Sequence, residues 1–199
     1  MMVSMLRASR RAAYLILAFG LMTAALVAAT SLAKGTSSIQ SSVDDTQAIE
    51  NAFTRAIDTL QRATIVVAPS ALPASASDSA IHARALAVNQ ILGNYFTGEP
   101  LARFSAALQS SLQSQIDQGL RDIDGGAADV QFESLAVIGD QASGTARALT
   151  WIRTEPTVPG KWGASSPSGW WDYAFHAVKS THRWLFDGLT FTAEAGSAP

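Results

Sequence analysis

The longest apolar stretch of the chain lies near its N-terminus, where residues 12–33 contain no charged side chain. A helix of about 20 apolar residues is long enough to cross the hydrocarbon core of a bilayer. Arg7, Arg10 and Arg11 stand just before the stretch, and positive charge on that side predicts that the extreme N-terminus stays in the cytoplasm. The sequence therefore predicts one membrane-spanning helix, with the following domain outside the cytoplasm at the cell membrane.

Two interpretations of residues 1–33 stay open, an uncleaved signal anchor and a signal peptide that is removed after export. The length of the apolar stretch favours the anchor, because the apolar core of a signal peptide usually has about 7–15 residues. Small residues around Ala29 and Ala33 suit a signal peptidase, and cleavage there would give a secreted protein. A cytosolic core helix is disfavoured, because no polar face interrupts the stretch.

A polar stalk at residues 34–45 is followed by segments with helical periodicity. Ile49 and Phe53 begin a stripe with spacings of three and four, which is typical of an amphipathic helix. A loop with two prolines separates the first helical segment from the second, and a Gly-Glu-Pro break separates the second from the third. The predicted helices cover residues 46–62, 79–95 and 100–120. In the second helix, the side chains that we expect to be buried include Ile81, Leu86, Ile91 and Leu92.

The second half of the chain is rich in branched and aromatic residues, and its polar and apolar positions alternate as in strands. Gly139 and Asp140 form a turn pair between the first two strand segments. The alternation slips by one place within the first segment, which predicts a bulge near Glu133 and Ser134. The predicted strands cover residues 130–138, 145–154, 171–180 and 184–193. A glycine pair at Gly125 and Gly126 is expected to end the helical half.

Three helices followed by an antiparallel meander predict one α+β domain over residues 46–193, with the helices packed on one side of a curved sheet and a short tail at 194–199. The first 34 residues hold four basic side chains, which leaves ten basic and sixteen acidic ones in the rest, a net charge of −6. An acidic surface without a basic cluster disfavours nucleic acid as a partner. The chain has no cysteine, which excludes disulfides and lipid attachment through a cysteine.

Two segments of the strand-rich half carry a family resemblance. Residues 135–153, LAVIGDQASGTARALTWIR, resemble the central hairpin of the nuclear-transport-factor-two-like superfamily, and residues 173–191, YAFHAVKSTHRWLFDGLTF, resemble its closing hairpin. The resemblance implies a SnoaL-like cone, in which a curved sheet wraps around helices. Members include isomerases, dehydratases and polyketide cyclases beside non-enzymatic domains, so fold alone does not assign a function.

The chain also resembles a membrane-anchored bacterial branch of this superfamily in its layout of a short tail, one membrane helix and an exported domain. That branch includes inner-membrane scaffold proteins of type IV secretion and conjugation machines, and proteins anchored beside lipid-import systems of actinobacteria. The resemblance therefore implies that an envelope or membrane protein is a partner. It also implies that residues 12–33 contact the lipid bilayer.

Candidate pocket residues come from the second and third predicted strands. Asp172 and His176 share one face of the third strand, and Arg147 and Trp151 share one face of the second. If these faces are concave, all four line one cavity, where a carboxylate can act as a base and an arginine can bind a carboxylate ligand. We favour the other interpretation, a polar outer face on which charges pair across strands.

The sequence offers no catalytic constellation. The pocket tyrosine and acidic residues of ketosteroid-isomerase-type members cannot be matched to positions of this chain, so no catalytic residue is carried over. The three histidines do not have the spacing of a zinc pair, and no phosphate-binding loop occurs. We therefore predict neither a metal site nor a cofactor.

The segment 156–171, PTVPGKWGASSPSGWW, is long for a hairpin connection. It carries Trp162 and leads into Trp170 and Trp171. Aromatic rings beside glycine, proline and serine suit recognition of a partner protein or a ligand. Two alternatives stay open, because the rings could also cap an open end of the sheet or lie at the bilayer interface.

The leading hypothesis is a membrane-anchored, exported domain that acts without catalysis, as a protein-interaction module or in the assembly of an envelope complex, for example in secretion or conjugation. The alternative is a domain that binds a small molecule in the cone cavity, or an isomerase-like or cyclase-like enzyme that uses it. A purely structural domain is the third hypothesis. A cavity filled by side chains would remove the second hypothesis.

Overall fold

A computed structural model describes residues 43–65, 78–156, 165 and 167–194. Three helices precede four strands, which confirms the predicted α+β class. The helices are α1 (Val43–Arg62), α2 (Asp78–Leu92) and α3 (Gly98–Gln118), and the strands are β1 (Leu120–Ile138), β2 (Gln141–Pro156), β3 (Ser168–Ser180) and β4 (Arg183–Ala193). Within the described ranges, no helix combines the length and the apolar character needed to cross a membrane. The predicted anchor at 12–33 lies outside these ranges.

The strands form one antiparallel sheet in the order β1-β2-β3-β4, as the predicted meander requires. Gly139, with a φ of 59°, and Asp140 make the two-residue turn between β1 and β2. A positive φ in the first central position is favourable for glycine, because it has no Cβ. The predicted bulge is confirmed by a register shift between Phe132 and Ser134, which leaves Glu133 as the extra residue of β1.

The first strand begins ten residues earlier than predicted. Gly119 ends α3 in the left-handed conformation, with a φ of 66°, and β1 starts directly after it. Gly125 and Gly126 are therefore buried inside β1 and do not end the helical half. A Cβ added to Gly126 would lie 2.5 Å from Oδ1 of Asp58 on α1. Gly126 therefore leaves room for the side chains of Asp58 and Arg62 of α1, whereas Gly125 lies against Trp151 and Ile152 of β2.

The core lies between the helices and the inner face of the sheet, and Phe53 of α1 is at its centre with no exposed surface. Its ring centroid lies 4.8 Å from that of Phe175, 5.5 Å from those of Phe132 and Phe186, and 5.7 Å from that of Tyr173. Offset and edge-to-face ring pairs at such distances are favourable beyond the area they bury. The apolar stripe of α1 is thus joined to β1, β3 and β4.

Helix α2 buries a different face from the one predicted. Leu92 is fully buried as expected, but Leu86 and Ile91 are 52% and 51% exposed. The buried face is formed by Ala85, Val88 and Leu92, which follow a spacing of three and four. Polar and apolar residues are interspersed around this helix without one apolar stripe, so the sequence pattern did not determine which face packs on the core. The side chain of Ile81 lies outside the described part of the chain.

The two tight turns of the sheet lie at one end of the domain, together with the beginning of α1. The backbone N–H of Lys179 donates to the carbonyl of Asp140 at 2.8 Å, and Nζ of Lys179 donates to Asp45 at 2.6 Å. Arg183 donates to the side chain of Asn94, which follows α2, at 3.1 Å. We call this region the turn end; it comprises residues 43–45, 94, 138–141 and 179–183.

The opposite end of the domain is where α1 ends, β1 begins and the connection between β2 and β3 leaves the sheet. Arg62 at the end of α1 pairs with Asp58 at 2.9 Å and with Asp124 of β1 at 3.5 Å. A helix of 20 residues is about 30 Å long at 1.5 Å per residue. Helix α1 therefore runs from the turn end to the opposite end of the domain.

Candidate functional site

A cavity of about 230 Å³ opens between α1, α3 and the inner face of the sheet. Its walls come from the end of α1, the start of β1, the end of β2 and the start of β3. The cavity therefore lies at the end of the domain opposite the turn end, and we call that opposite end the cavity end. The apolar part of the wall is formed by Leu60, Leu120, Ile152, Trp171, Tyr173 and Phe191. Ser165, Pro167 and Ser168 are contributed by the segment that leads into β3.

The size of the cavity limits what it can hold. Pockets for drug-sized ligands usually measure about 300–1,000 Å³, so this cavity suits one side chain or a small molecule. It stays open because two inward-facing positions of β2 are threonines, Thr150 and Thr154, where larger apolar side chains would fill the space. The second hypothesis from the sequence, which requires a hollow, is therefore retained.

Asp122 places a carboxyl group in the cavity wall. Thr154 donates to its Oδ1 at 2.9 Å, and Gln115 donates to its Oδ2 at 3.0 Å. Burial raises the pKa of Asp122, and hydrogen bonds from Thr154 and Thr64 lower it in part. The carboxyl group therefore keeps its proton to a higher pH than an aspartic acid in water, because the apolar surroundings disfavour its charged form.

Gln115 holds this carboxyl group in place from α3. The amide is buried, with 1% of its surface exposed. Its Nε2 also donates to the carbonyl of Thr64 at 2.9 Å, and its Oε1 accepts from the backbone N–H of Asp122 at 2.9 Å. One side chain thus joins the end of α1, α3 and the start of β1 beside the cavity.

Tyr173 contributes a phenol to the same wall from β3. Burial raises the pKa of Tyr173, so its hydroxyl is neutral at physiological pH and can donate a hydrogen bond. Asp122 and Tyr173 are the two titratable groups of the cavity wall in the described part of the chain. Together they can bind one polar group of an otherwise apolar occupant, and Asp122 can accept a proton once it is ionised.

The structure does not bring the four predicted pocket residues together. Trp151 lines the cavity, whereas Arg147, Asp172 and His176 are absent from its wall. The two-residue period of β3 explains this, because Tyr173 on the opposite face packs into the core and turns Asp172 and His176 outward. Arg147 lies between two buried alanines of β2 and likewise faces outward.

Charges pair on this outer face of the sheet. Arg147 donates to Glu194 at 2.6 Å, and its guanidinium carbon lies 4.6 Å from the ring centroid of Trp170. Asp172 is opposite Arg147 in the register of β2 and β3. Nδ1 of His176 lies 2.6 Å from Oδ1 of Asp187 on β4. These contacts form a polar outer face of the kind that the sequence favoured.

The predicted partner-binding tryptophans fall on both faces of the sheet. Trp171 lines the cavity and meets the ring of Phe191 edge-to-face at 5.9 Å. Trp170 is half-buried on the outer face beside Arg147. Trp162 lies outside the described residues. Binding of a partner by these rings therefore stays a prediction.

Asp122, Gln115 and Tyr173 are the site residues that sequence reasoning missed. Residues 121–129 lack an alternating pattern, so the sequence predicts no strand there and gives no signal for Asp122. Gln115 continues the stripe of Leu108 and Leu112 at helical spacing, and a polar residue in an apolar stripe was the available signal. In the described part of the chain, no three side chains of the metal-binding types form a group that could hold a metal ion.

No protein-family model and no curated protein sequence matches the chain. The intermembrane space region of the chloroplast protein ARC6 is similar to it at 14% identity, over 53% of this chain and 78% of that one, with a TM-score of 0.40. CagV, a VirB8 homolog of the T4SS from Helicobacter pylori, is similar at 8% identity, over 72% of this chain and 98% of that one, with a TM-score of 0.44.

A third solved structure, an NTF2-like protein with a cystatin-like fold from Novosphingobium aromaticivorans, is similar at 15% identity. The similarity covers 78% of this chain and 85% of that one, with a TM-score of 0.38. All three TM-scores lie below 0.5, so the likeness is confined to the general arrangement of helices on an antiparallel sheet. It assigns neither a family nor an activity.

Proposed function

We propose that this protein is a membrane-anchored module that works outside the cytoplasm and binds a partner protein of the envelope without catalysis. The observation that carries the proposal is the separation of the two ends of the domain. The described chain begins α1 at the turn end, whereas Leu60 and Gln61 line the cavity near the other end of this helix, which is about 30 Å long. A domain tethered through residues 12–33 would therefore present its cavity away from the bilayer.

The cavity has the properties of a pocket for one anchoring side chain. Its walls are largely apolar and include Trp171, Tyr173 and Phe191. Aromatic pockets that take a single side chain of a partner contribute most of the binding free energy in many protein interfaces. The resemblance in layout makes secretion and conjugation complexes the first place to look for this partner.

The test fills the cavity with a large side chain, and the control places the same side chain at an exposed position nearby. Ser111 of α3 lines the cavity, whereas Ser110 on the same helix is exposed. A photo-crosslinking residue at Ser168, an exposed position of the cavity wall, should capture a specific membrane protein in native cells. We expect Ser111→Phe to abolish this crosslink and Ser110→Phe to leave it unchanged. A crosslink that survives Ser111→Phe in a cooperatively folded chain would contradict the proposal.

A second candidate function is favoured by the buried carboxyl group of Asp122. A neutral small molecule with one carbonyl or hydroxyl group would find hydrogen-bond partners in Asp122 and Tyr173 and apolar contacts elsewhere. An isomerase-like or cyclase-like reaction would use ionised Asp122 as the base. Titration with cyclohexanone and phenol, followed by NMR, tests this candidate. Shifts confined to cavity residues and lost in Ser111→Phe would favour it over the binding of a protein.

A further inference from the structure

One large apolar side chain, Ile138, is exposed within the turn end. In the described part of the chain, the large apolar side chains with more than half of their surface exposed are Ile138 at 71%, Leu86 at 52% and Ile91 at 51%. Ile138 directly precedes the Gly-Asp turn at the tip of the first hairpin. Ile91 lies within one helical turn of Asn94, which binds Arg183. The most exposed of the three, Ile138, therefore lies at the turn end, where α1 also begins.

Contacts at the turn end connect the hairpin tip to the beginning of α1. Asp140 accepts a hydrogen bond from the backbone of Lys179, and the ammonium group of Lys179 binds Asp45 in the first turn of α1. Two successive contacts of 2.8 Å and 2.6 Å thus link the turn next to Ile138 to the first turn of the helix. Any surface that approaches the start of α1 also approaches Ile138.

The charge of the turn end does not oppose contact with a neutral lipid surface. Three acidic residues and two basic residues lie there, which are Asp44, Asp45, Asp140, Lys179 and Arg183. Lys179 and Asp45 form an ion pair. The remaining net charge is about −1, and a surface of neutral phospholipids carries no net charge that would repel it.

The length of chain before α1 brings this end to the bilayer. Residues 34–42 connect the apolar stretch to Val43, and nine residues span at most about 30 Å when fully extended. A domain anchored by residues 12–33 is therefore held with its turn end within this distance of the lipid. The cavity end lies farther away by the length of α1.

From these observations we infer that the turn end rests on the bilayer, with Ile138 inserted among neutral phospholipids at the lipid–water interface. The inference rests on the anchoring in the proposed function and goes beyond it by assigning the surface that touches lipid. Shallow insertion of an aliphatic side chain removes its apolar surface from water. In this arrangement the surface that contacts lipid is distinct from the cavity end, where Trp171 lies.

The chain has no cysteine, so a single introduced cysteine can carry an environment-sensitive fluorophore. The full chain would be reconstituted in phosphatidylcholine vesicles, with the label at Ile138→Cys or, as the matched control, at the exposed position Ser168→Cys of the cavity end. We expect a blue shift of the emission at 138, and quenching there by spin-labelled phosphatidylcholine. We expect neither effect at 168.

A second variant pair tests the side chain itself. With the label at Gln141→Cys, which is exposed beside the hairpin tip, Ile138→Asp should cause a loss of the quenching by spin-labelled lipid, while Leu86→Asp should not. Both changes are at exposed positions, and cooperative thermal unfolding would verify that each variant is folded. Quenching that persists in Ile138→Asp would overturn the role of this side chain.

The outcomes separate the inference from the proposed function. If the chain floats with the vesicles but position 138 is not quenched, the anchoring stands and the contact is overturned. If the emission at 138 is blue-shifted without quenching by labelled lipid, a second copy of the chain covers the turn end, and the lipid contact is overturned. If the full chain does not float with vesicles, the anchoring fails, and this inference fails with it.

Discussion

At the scale of single residues, Gln115 shows how a buried polar side chain can organise a site. Its amide satisfies the backbone carbonyl of Thr64 and both the backbone and the carboxyl group of Asp122. No apolar residue of similar size can make these three hydrogen bonds. The amide is therefore the connection that holds α1, α3 and β1 in place around the cavity.

Replacing this amide should destabilise the fold. Gln115→Leu leaves a buried carbonyl and a buried N–H without their partner, which costs about 1–3 kcal/mol in the free energy of unfolding. Urea denaturation of the two proteins measures the loss. Gln113→Leu, on the same helix at a half-buried position with only a side-chain contact to Asp117, should change the stability by less than about 0.5 kcal/mol. Equal losses in the two variants would contradict this role.

A second prediction at this scale concerns pH. Burial raises the pKa of Asp122 above 3.8, so the folded state holds this proton more tightly than the unfolded state does. The contribution of Asp122 to stability is therefore fully present below about pH 3.8 and is lost as the pH rises through the raised pKa. Asp122→Asn cannot titrate and removes this contribution.

The measurement is the difference in the free energy of unfolding between the wild-type chain and Asp122→Asn at several pH values. We expect the wild-type chain to lose stability relative to the variant as the pH rises from 3.8 towards neutrality. A difference that changes in the opposite direction would mean that hydrogen bonds from Thr154 and Gln115 favour the carboxylate more than burial disfavours it.

At the scale of elements, β1 is a strand that bends by means of extra residues. Its pairing with β2 shifts register between Asp122 and Asp124, between Ala127 and Asp129, and between Phe132 and Ser134. Each bulge increases the local twist, which curves the strand around the helices. The third bulge also keeps Val130 and Phe132 on the same face as Leu135 and Val137, against the core.

Two deletions test this role of the bulge. Removing Glu133 deletes the extra residue and leaves both halves of β1 facing the core, so we expect a chain that still unfolds cooperatively. Removing Gln131 also allows pairing without the bulge, but it moves Phe132 to the outer face and places Glu133 opposite Ala146 against the core, so we expect the loss of cooperative unfolding. Near-UV circular dichroism during thermal unfolding distinguishes the two. Similar behaviour of both deletions would show that the face of β1 is not fixed by its pattern.

The elements differ in how far the sequence predicted them. Helix α1 has a polar face and an apolar stripe, so both its position and its buried face were predicted, and the position of α3 was predicted as well. Helix α2 has no single apolar stripe, and its predicted buried side chains Leu86 and Ile91 are exposed. The first ten residues of β1 were missed because glycine and charged residues replace the alternation. Their place is fixed by contacts with α1, such as the backbone of Ala127 with Asp58 at 3.2 Å.

The cavity was predicted less well than the fold, for a related reason. A strand pattern shows which residues share a face, but it does not show which face is covered. Trp151 is part of the cavity wall, whereas Arg147, Asp172 and His176 lie on the outer face. Asp122 meets Gln115 and Thr154 only in the folded chain, since the three come from α3, β1 and β2. Because these residues belong to three different elements, no local sequence pattern predicts that they are in contact.

At the scale of the whole molecule, the proposed anchoring makes a direct prediction about topology. Ser4 precedes the arginines at the N-terminus, and Ser168 is exposed at the cavity end. In intact cells, a membrane-impermeant maleimide should label Ser168→Cys, and it should label Ser4→Cys only after the cells are lysed. Labelling of Ser4→Cys in intact cells, or protection of Ser168→Cys, would contradict an exported domain with a cytoplasmic N-terminus.

The aromatic contacts of Phe53 also affect the order in which the protein can fold. Helix α1 is made early, but the rings of Tyr173, Phe175 and Phe186 that enclose Phe53 belong to the last two strands. Until synthesis has reached residue 186, the apolar stripe of α1 lacks these partners, and exposed apolar surface of this kind promotes aggregation. A nascent chain of this protein therefore depends on late C-terminal segments, and truncations that remove β4 should yield a substrate for chaperones and proteases.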